Sequence, residues 1–324
     1  MAAAIRIHNT GGPEVMSWEE VRLGTPGPGL ALVRHRYVGV NFIDVYHRKG
    51  MYKLPLPTGL GSEAAGVVEA VGPGVFDLHP GDRVAYATGP VGAYAEARMV
   101  PAERLVRLPD DIDDQTAASI MLKGLTAQYL LLQTTQLHPG ETILLHAAAG
   151  GVGQIASQWA KHLGLTVIGT VGNDDKASLA RTNGCDHVIV YTREDFVERV
   201  RQITGGRGVR VAYDSVGKDT FQGSLDCLQP RGLLVMFGQS SGMVPPFDLT
   251  TLGVKGSLYL TRPSLTTYAG NPEALRIMSN ALFEVVRAGA VRIAAPTQFP
   301  LREAAAAHTA LESRRTTGSV VLAV

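Results

Sequence analysis

Cysteine is scarce in this chain: only Cys185 and Cys227 occur, far apart in 324 residues. Two thiols build neither a disulfide framework nor a four-cysteine zinc site. Aromatic residues make up 6% of the chain and charged residues 18%. The formal net charge is only +1, which argues against general nucleic-acid or membrane-surface binding. No uninterrupted apolar run reaches the ~18 residues of a membrane span. The start, Met1-Ala2-Ala3-Ala4-Ile5, lacks a basic region followed by a long apolar stretch, so it does not read as a secretory leader. The cytoplasm is the expected location.

Apolar residues and glycine are abundant. Hydrophobic residues reach 45%, enough for packed cores, and 37 glycines imply many tight turns. The length suggests two domains, since single cores stop growing near ~250–300 residues. Texture divides the chain at residues 1–124, 125–262 and 263–324. In the first stretch, short β-like runs such as Leu32–His35, Gly66–Val71 and Asp82–Tyr86 alternate with breakers such as Gly72-Pro73-Gly74. The second alternates strands and helices: strands at Ile143–His146, Val167–Val171, Val188–Tyr191, Val209–Tyr213, Leu233–Phe237 and Leu258–Leu260, with helices near Lys176–Thr182 and Glu194–Ile203. Such alternation predicts an α/β fold with a parallel sheet covered on both faces. The last stretch carries helical patterns at Pro272–Ala288 and Leu301–Glu312. It ends in Ser319–Leu322, a β-like run expected to rejoin the first domain. A ligand is expected in the cleft between the two halves.

The sharpest motif is His146-Ala147-Ala148-Ala149-Gly150-Gly151-Val152-Gly153, which follows a strand and opens a helix. It is close to G-x-G-x-x-G, with Ala148 in place of the first glycine. The helix is amphipathic, with Val152, Ile155, Ala156, Trp159, Ala160 and Leu163 on one face. Gly150 or Gly151 would let backbone approach a pyrophosphate, and Gly153 would let the helix pack on its strand. NAD sites usually place an acid at the tip of the second strand. Here that tip reads Gly169-Thr170-Val171-Gly172-Asn173, without one, and Lys176 and Tyr191 follow. This favours NADPH over NADH. Asp174 and Asp175 count the other way unless they only serve the first turn of a helix, where negative charge is favourable.

Several stretches together resemble a known family: Gly39–Tyr46, Gly61–Gly66, Leu122–Thr126, His146–Gly153, Tyr213–Gly217 and Thr261–Leu265. The chain resembles the NADPH-dependent quinone oxidoreductases of the zeta-crystallin-like branch of the zinc-free medium-chain dehydrogenase/reductase superfamily, over essentially its whole length. The resemblance implies a GroES-like β-rich catalytic domain and a doubly wound Rossmann domain. It implies cofactor contacts from Phe42, Ile43, Asp44, Val45 and Tyr46, and from Thr126 and Tyr129. Gly150, Gly151 and Val152 would hold the pyrophosphate. Gly172, Asn173, Asp174, Asp175, Lys176 and Tyr191 would surround the 2′-phosphate, with Ser215 on the adenosine side. Phe237, Gly238, Gln239, Ser240, Pro263, Ser264 and Leu265 would frame the nicotinamide, and Arg314 would add a late contact, with Arg315 directly beside it. A homodimer is also implied.

Zinc-dependent relatives carry Gly-His-Glu where this chain reads Gly61-Ser62-Glu63. No metal is expected, and Glu63 reads as a structural hydrogen-bonding residue. A quinone accepts hydride without a Lewis acid because its reduced form is aromatic. Asn41, Asp44, Tyr46 and Tyr52 are the candidate catalytic residues. Asn41 would hold a quinone carbonyl, Asp44 would orient the cofactor or Tyr46, and the tyrosines would donate a proton or hydrogen bond; solvent is the other proton source. The alternatives are an NADPH-dependent enone or alkenal reductase on the same scaffold, and a non-enzymatic NADPH-binding sensor or structural protein.

Overall fold

Strands form where apolar residues alternate or run together between breakers, and the longest of them organises the first sheet. The computed structural model describes all residues, Met1–Val324. The chain opens with β1 (Ala2–Ile7), β2 (Met16–Val21) and β3 (Leu30–Val40), then α1 (Phe42–Arg48). Next come β4 (Thr58–Gly59), β5 (Glu63–Val71), β6 (Arg83–Tyr86), β7 (Ala97–Pro101) and β8 (Val106–Arg107). The long helix α2 (Asp114–Leu132) leads into β9 (Thr142–Leu145), α3 (Gly151–His162), β10 (Thr166–Val171), α4 (Asp174–Thr182) and β11 (His187–Val190). Then follow α5 (Phe196–Ile203), β12 (Val209–Asp214), α6 (Phe221–Asp226), β13 (Leu228–Met236), α7 (Thr250–Val254) and β14 (Tyr259–Thr261). The tail holds α8 (Leu265–Tyr268), α9 (Pro272–Arg287), β15 (Thr297–Pro300), α10 (Ala304–Glu312) and β16 (Val320–Ala323).

Two compact units result. The first takes Met1–Leu125, Tyr268–Glu284 and Ile293–Val324; the second takes Thr126–Thr267 and Val285–Arg292. The alternating texture ends at Arg262 while the second unit runs on to Thr267, and nothing in the sequence marks the short return at Val285–Arg292.

In the first unit, a seven-stranded sheet runs β15-β16-β3-β5-β6-β8, with β7 also paired to β3. Val320 pairs with Val40 and Leu322 with Val38, antiparallel, so the final run does join the first sheet. A three-stranded sheet, β2-β1-β4, lies in the same unit. Ile7, Val33, Val38, Leu60, Val84, Tyr94 and Leu322 belong to its core.

The second unit is a six-stranded parallel sheet in the order β11-β10-β9-β12-β13-β14. Its strands are near-continuous apolar runs because both faces are covered; Leu144, Ile168, Ile189, Ala212 and Leu234 are buried in one cluster. Strand order reverses between β9 and β12, and such a switch point is where open α/β sheets bind ligands, outside the carboxyl ends of the strands. No helix is long and apolar enough to cross a membrane.

Helices α1, α6 and α7 and strand β15 are not announced by the sequence patterns. The first three have 7, 6 and 5 residues, too short for a repeating apolar period to declare itself. Strand β11 stops at Val190, so Tyr191 lies just beyond it and is exposed.

Candidate functional site

The glycine corner belongs to the second unit. Strand β9 ends at Leu145, and α3 begins at Gly151 behind an extended Gly150 that offers no side-chain cap. The first turn of α3 therefore leaves its N–H groups to an outside acceptor and holds no acid. A Cβ at Gly153 would stand 2.4 Å from the Ala147 carbonyl oxygen, so only glycine lets the helix come this close to the strand exit. Ile155, Ala156, Trp159 and Ala160 are buried, while Lys161 and His162 point to solvent. The residues present fit a bound pyrophosphate.

At the tip of β10, Asn173 caps α4 by accepting the Lys176 N–H at 2.9 Å, so its side chain is engaged locally. Asp174 accepts two hydrogen bonds from Arg193, at 2.7 and 2.6 Å. That guanidinium holds the Asp174 carboxyl below the usual carboxylate range. Thr192 Oγ1 donates to the Gly172 carbonyl at 3.1 Å, and the Tyr191 N–H donates to Val171 O at 3.1 Å. Gly172, Asn173, Asp174, Lys176 and Tyr191 are thus gathered at the ends of β10 and β11, with Asp175 beside them on α4. Arg193 joins this group through its pair with Asp174. Its only sequence signal is its position two residues after the exposed Tyr191.

Ser215 and the segment Phe237–Ser240 also come together. The Ser240 N–H donates to Ser215 O at 3.1 Å, and the Ser241 N–H donates to Val216 O at 2.8 Å. Arg262 Nη2 donates to the Gln239 side chain at 3.0 Å, which fixes the approach to Pro263, Ser264 and Leu265. Thr126 and Tyr129 lie on the second-unit half of α2, and Tyr129 is buried.

The remaining candidates belong to the first unit. Asn41 precedes α1, and its N–H donates to Asp44 Oδ2 at 2.9 Å, an N-terminal capping arrangement. Asn41 Nδ2 donates to Glu63 at 2.8 Å. Glu63 is fully buried and also accepts from the Leu122 N–H at 2.7 Å and from Lys123 Nζ at 3.1 Å. A Cβ at Gly39 would strike the Glu63 carboxylate at 2.1 Å, which explains the glycine beside that motif. Glu63 thus ties β5, α2 and Asn41 together, as a structural acid would.

Asp44 is buried and accepts from Tyr94 Oη at 3.0 Å, with Ser62 Oγ at 3.4 Å. Tyr94 Oη stands 2.9 Å from His308 Nε2, and Arg48 Nη1 lies 2.9 Å from His308 Nδ1. Arg48 Nη2 donates to Glu312 at 2.7 Å. Burial raises the Asp44 carboxyl to about 7, against the opposing pull of the Asn41 N–H and the Tyr94 hydroxyl. Burial and the neighbouring Arg48 drop His308 to about 3. Tyr94 and His308 are functional candidates that no sequence pattern points to. Tyr46 is buried, with its ring 5.4 Å from that of Tyr52 and 6.2 Å from that of Phe42. Ile43 and Val45 complete the helix. Arg314 follows α10 with a φ of 57°, while Arg315 Nε donates to Ser313 Oγ at 2.9 Å.

Residues 27–110 match the alcohol dehydrogenase GroES-like domain, and residues 151–280 match the zinc-binding dehydrogenase domain. A quinone oxidoreductase of Pseudomonas aeruginosa is 54% identical over 323 residues, covering 99% of each chain. The chain belongs to the quinone oxidoreductase family. A 2-haloacrylate reductase of a Burkholderia species is 51% identical over 330 residues, again covering 99% of each. The crystal structure of Escherichia coli quinone oxidoreductase complexed with NADPH superposes with a TM-score of 0.98 at 48% identity, covering 100% of both chains.

The family's zinc-binding description does not fit the donors of this member. Ser62 occupies the Gly-x-Glu position and is turned towards Asp44. No three His, Cys, Asp or Glu side chains gather into a metal-ligating group. Both cysteines are buried, and burial pushes Cys185 up to about 11 and Cys227 up to about 12, away from the thiolate a metal needs.

Proposed function

We propose that this chain is an NADPH-dependent quinone oxidoreductase that transfers reducing equivalents to a quinone without zinc. The observation that carries the cofactor reading is the double hydrogen bond from Arg193 to Asp174. It occupies the acid nearest the tip of β10 with a cation. A 2′-phosphate then meets Lys176, Arg193 and Tyr191 rather than an unpaired carboxylate. Gly150, Gly151 and Val152 hold the pyrophosphate, through N–H groups at the start of α3. Gly172, Asn173 and Asp175 complete the adenosine end with Ser215. Thr126, Tyr129, Phe237, Gly238, Gln239, Ser240, Pro263, Ser264 and Leu265 hold the nicotinamide end, and Phe42, Ile43, Val45 and Arg314 are assigned as further cofactor contacts.

The bound cofactor supplies the hydride. Asn41 donates one amide hydrogen to Glu63, which fixes the plane of the amide, and the second is assigned to a quinone carbonyl. Asp44 fixes the Asn41 backbone. Tyr46 and Tyr52 stand edge to face, and their hydroxyls are assigned to hydrogen bonding or proton donation at the reduced oxygen.

Purified protein is expected to oxidise NADPH with 1,4-benzoquinone, to prefer NADPH to NADH, and to keep its activity in a chelator. The substitution Arg193→Gln is expected to raise the KM for NADPH about tenfold, roughly 1.4 kcal/mol of 2′-phosphate recognition. Equal use of NADH and NADPH by the unmodified chain would overturn the cofactor assignment. The 51% identical 2-haloacrylate reductase favours a second reading, reduction of an activated C=C bond. Parallel assays with a quinone and an α,β-unsaturated ketone separate the two.

Strand β14 is an edge of the six-stranded sheet and exposes Tyr259. It supports a homodimer joined through that edge, checked by light scattering. We place the protein in the cytoplasm, whose reducing conditions suit two unpaired thiols.

A further inference from the structure

A cavity of about 250 Å³ lies wholly among residues of the first unit, bounded by β1, the end of β2, β4, the turn at Val91-Gly92 and β7. None of the residues assigned to quinone reduction lines it. Three arginines do, Arg6, Arg22 and Arg98, and no aspartate or glutamate does. Three like charges around one concavity repel one another, and an anion seated between them removes that cost.

The charges are poorly matched within the protein. Arg6 stands 3.9 Å from Glu19, whose other oxygen is 2.6 Å from His8. Its Nη2 donates to the Pro57 carbonyl at a long 3.3 Å. Arg22 is exposed. Arg98 is the informative one. Its Nε reaches the Met99 carbonyl at 3.3 Å and its guanidinium carbon lies 5.9 Å from the centre of the Tyr86 ring, while its buried Nη1 faces no hydrogen-bond acceptor. A Cβ at Gly92, itself a lining residue, would stand 3.5 Å from that nitrogen, so Nη1 lies close behind the glycine part of the pocket wall. A buried guanidinium donor without an acceptor is costly, and an incoming acceptor would satisfy it.

The walls decide the class of anion. Leu23, Val91 and Met99 line the cavity beside the arginines. The volume lies just below the usual range of about 300–1,000 Å³ for organic ligands, so only a small one fits. A planar carboxylate matches the guanidinium fork in two parallel hydrogen bonds, and an apolar ring matches the walls. We propose that this pocket binds an aromatic monocarboxylate of about the size of benzoate, a second ligand site on the first unit.

The test is a titration of the full-length, 15N-labelled chain with sodium benzoate, followed at the amides of Gly92 and Met99. Benzamide, of nearly the same shape but neutral, is the control. Saturable shifts at both amides with benzoate are expected, at least tenfold weaker with benzamide. Arg22→Gln, at an exposed position that leaves the core intact, is expected to weaken benzoate at least fivefold while NADPH oxidation with quinone is unchanged. Arg98→Gln is expected to weaken it further. Absence of saturation, equal binding of benzamide, or undiminished binding to Arg22→Gln would overturn the proposal. A response to inorganic phosphate without one to benzoate would overturn the carboxylate assignment.

Discussion

Each unit buries a histidine in a hydrogen-bonded string that ends on an aspartate, yet the two strings differ in kind. In the first, His308 stands between Arg48 and Tyr94, and Tyr94 reaches Asp44. In the second, His146 stands between Thr170 and Ser224, at 2.9 and 3.0 Å, and Ser224 donates to Asp214 at 2.7 Å. Arginine can only donate, so His308 Nδ1 accepts and Nε2 carries the proton. Ser224 gives its hydrogen to Asp214, so His146 Nε2 must donate to Ser224 Oγ, and Nδ1 accepts from Thr170. Both imidazoles are thereby held neutral in the same tautomer, and burial lowers both from the usual histidine range.

The acids at the ends of the strings separate them. Asp214 accepts from the Val216 and Gly217 N–H groups and from the Thr220 and Ser224 hydroxyls. That donor set clamps the loop after β12 and is structural. Asp44 accepts only the Asn41 N–H and the Tyr94 hydroxyl at ordinary distances, with burial pushing it up to about 7. An acid this thinly solvated stays responsive to its surroundings.

The largest effect is expected from Asp214→Asn, which turns an acceptor towards four donors into one that also donates. Calorimetry should show a loss of about 3 kcal/mol or more. A cost below about 1 kcal/mol would erase the contrast. His308→Gln keeps an acceptor for Arg48 and a donor for Tyr94 but does not titrate. The folded His308 is depressed to about 3, so its contribution is full above the ordinary histidine value of 6.5 and is lost as pH falls towards 3. Removing it should flatten the loss of stability in that window by about 1.4 kcal/mol per pH unit. Asp44 acts with the opposite sign: its folded value lies above 3.8, so stability falls as pH rises from there to about 7. Asp44→Asn should therefore remove that decline and steepen the net loss on acidification, measured by denaturation across pH 4 to 7. Tyr94→Phe should have the smallest stability cost, about 1 kcal/mol. It also removes a donor that favours the ionised acid, so the Asp44 carboxyl should titrate higher, read by carboxyl carbon NMR. An unchanged titration would show that the string does not act on Asp44.

The sequence announces what is local. The run Ile143–His146, the glycine corner and the face Ile155–Ala156–Trp159–Ala160 sit within some twenty residues, so period and turn chemistry suffice to read them. The return of Val320–Ala323 is also legible, because an apolar β-run needs a partner strand. Contacts of long range are not. Tyr94 and His308 are 214 positions apart, and Arg48 and His308 are 260 apart; no spacing rule links them. Arg193 escapes notice because its partner Asp174 is 19 positions away, on the far side of β11. The pocket arginines come from β1, from just after β2 and from β7, and become neighbours only through sheet pairing.

The placement of β16 between β15 and β3 has a consequence for biosynthesis. The ribosome emits β3 long before β15 and β16, so the opening hundred or so residues wait, two strands short of their sheet, until β16 emerges. The parallel sheet of the intervening segment has all of its strands by Thr261 and is free to mature first. A premature stop ahead of β16 would therefore spare the domain made in the middle and strand the one begun at the start.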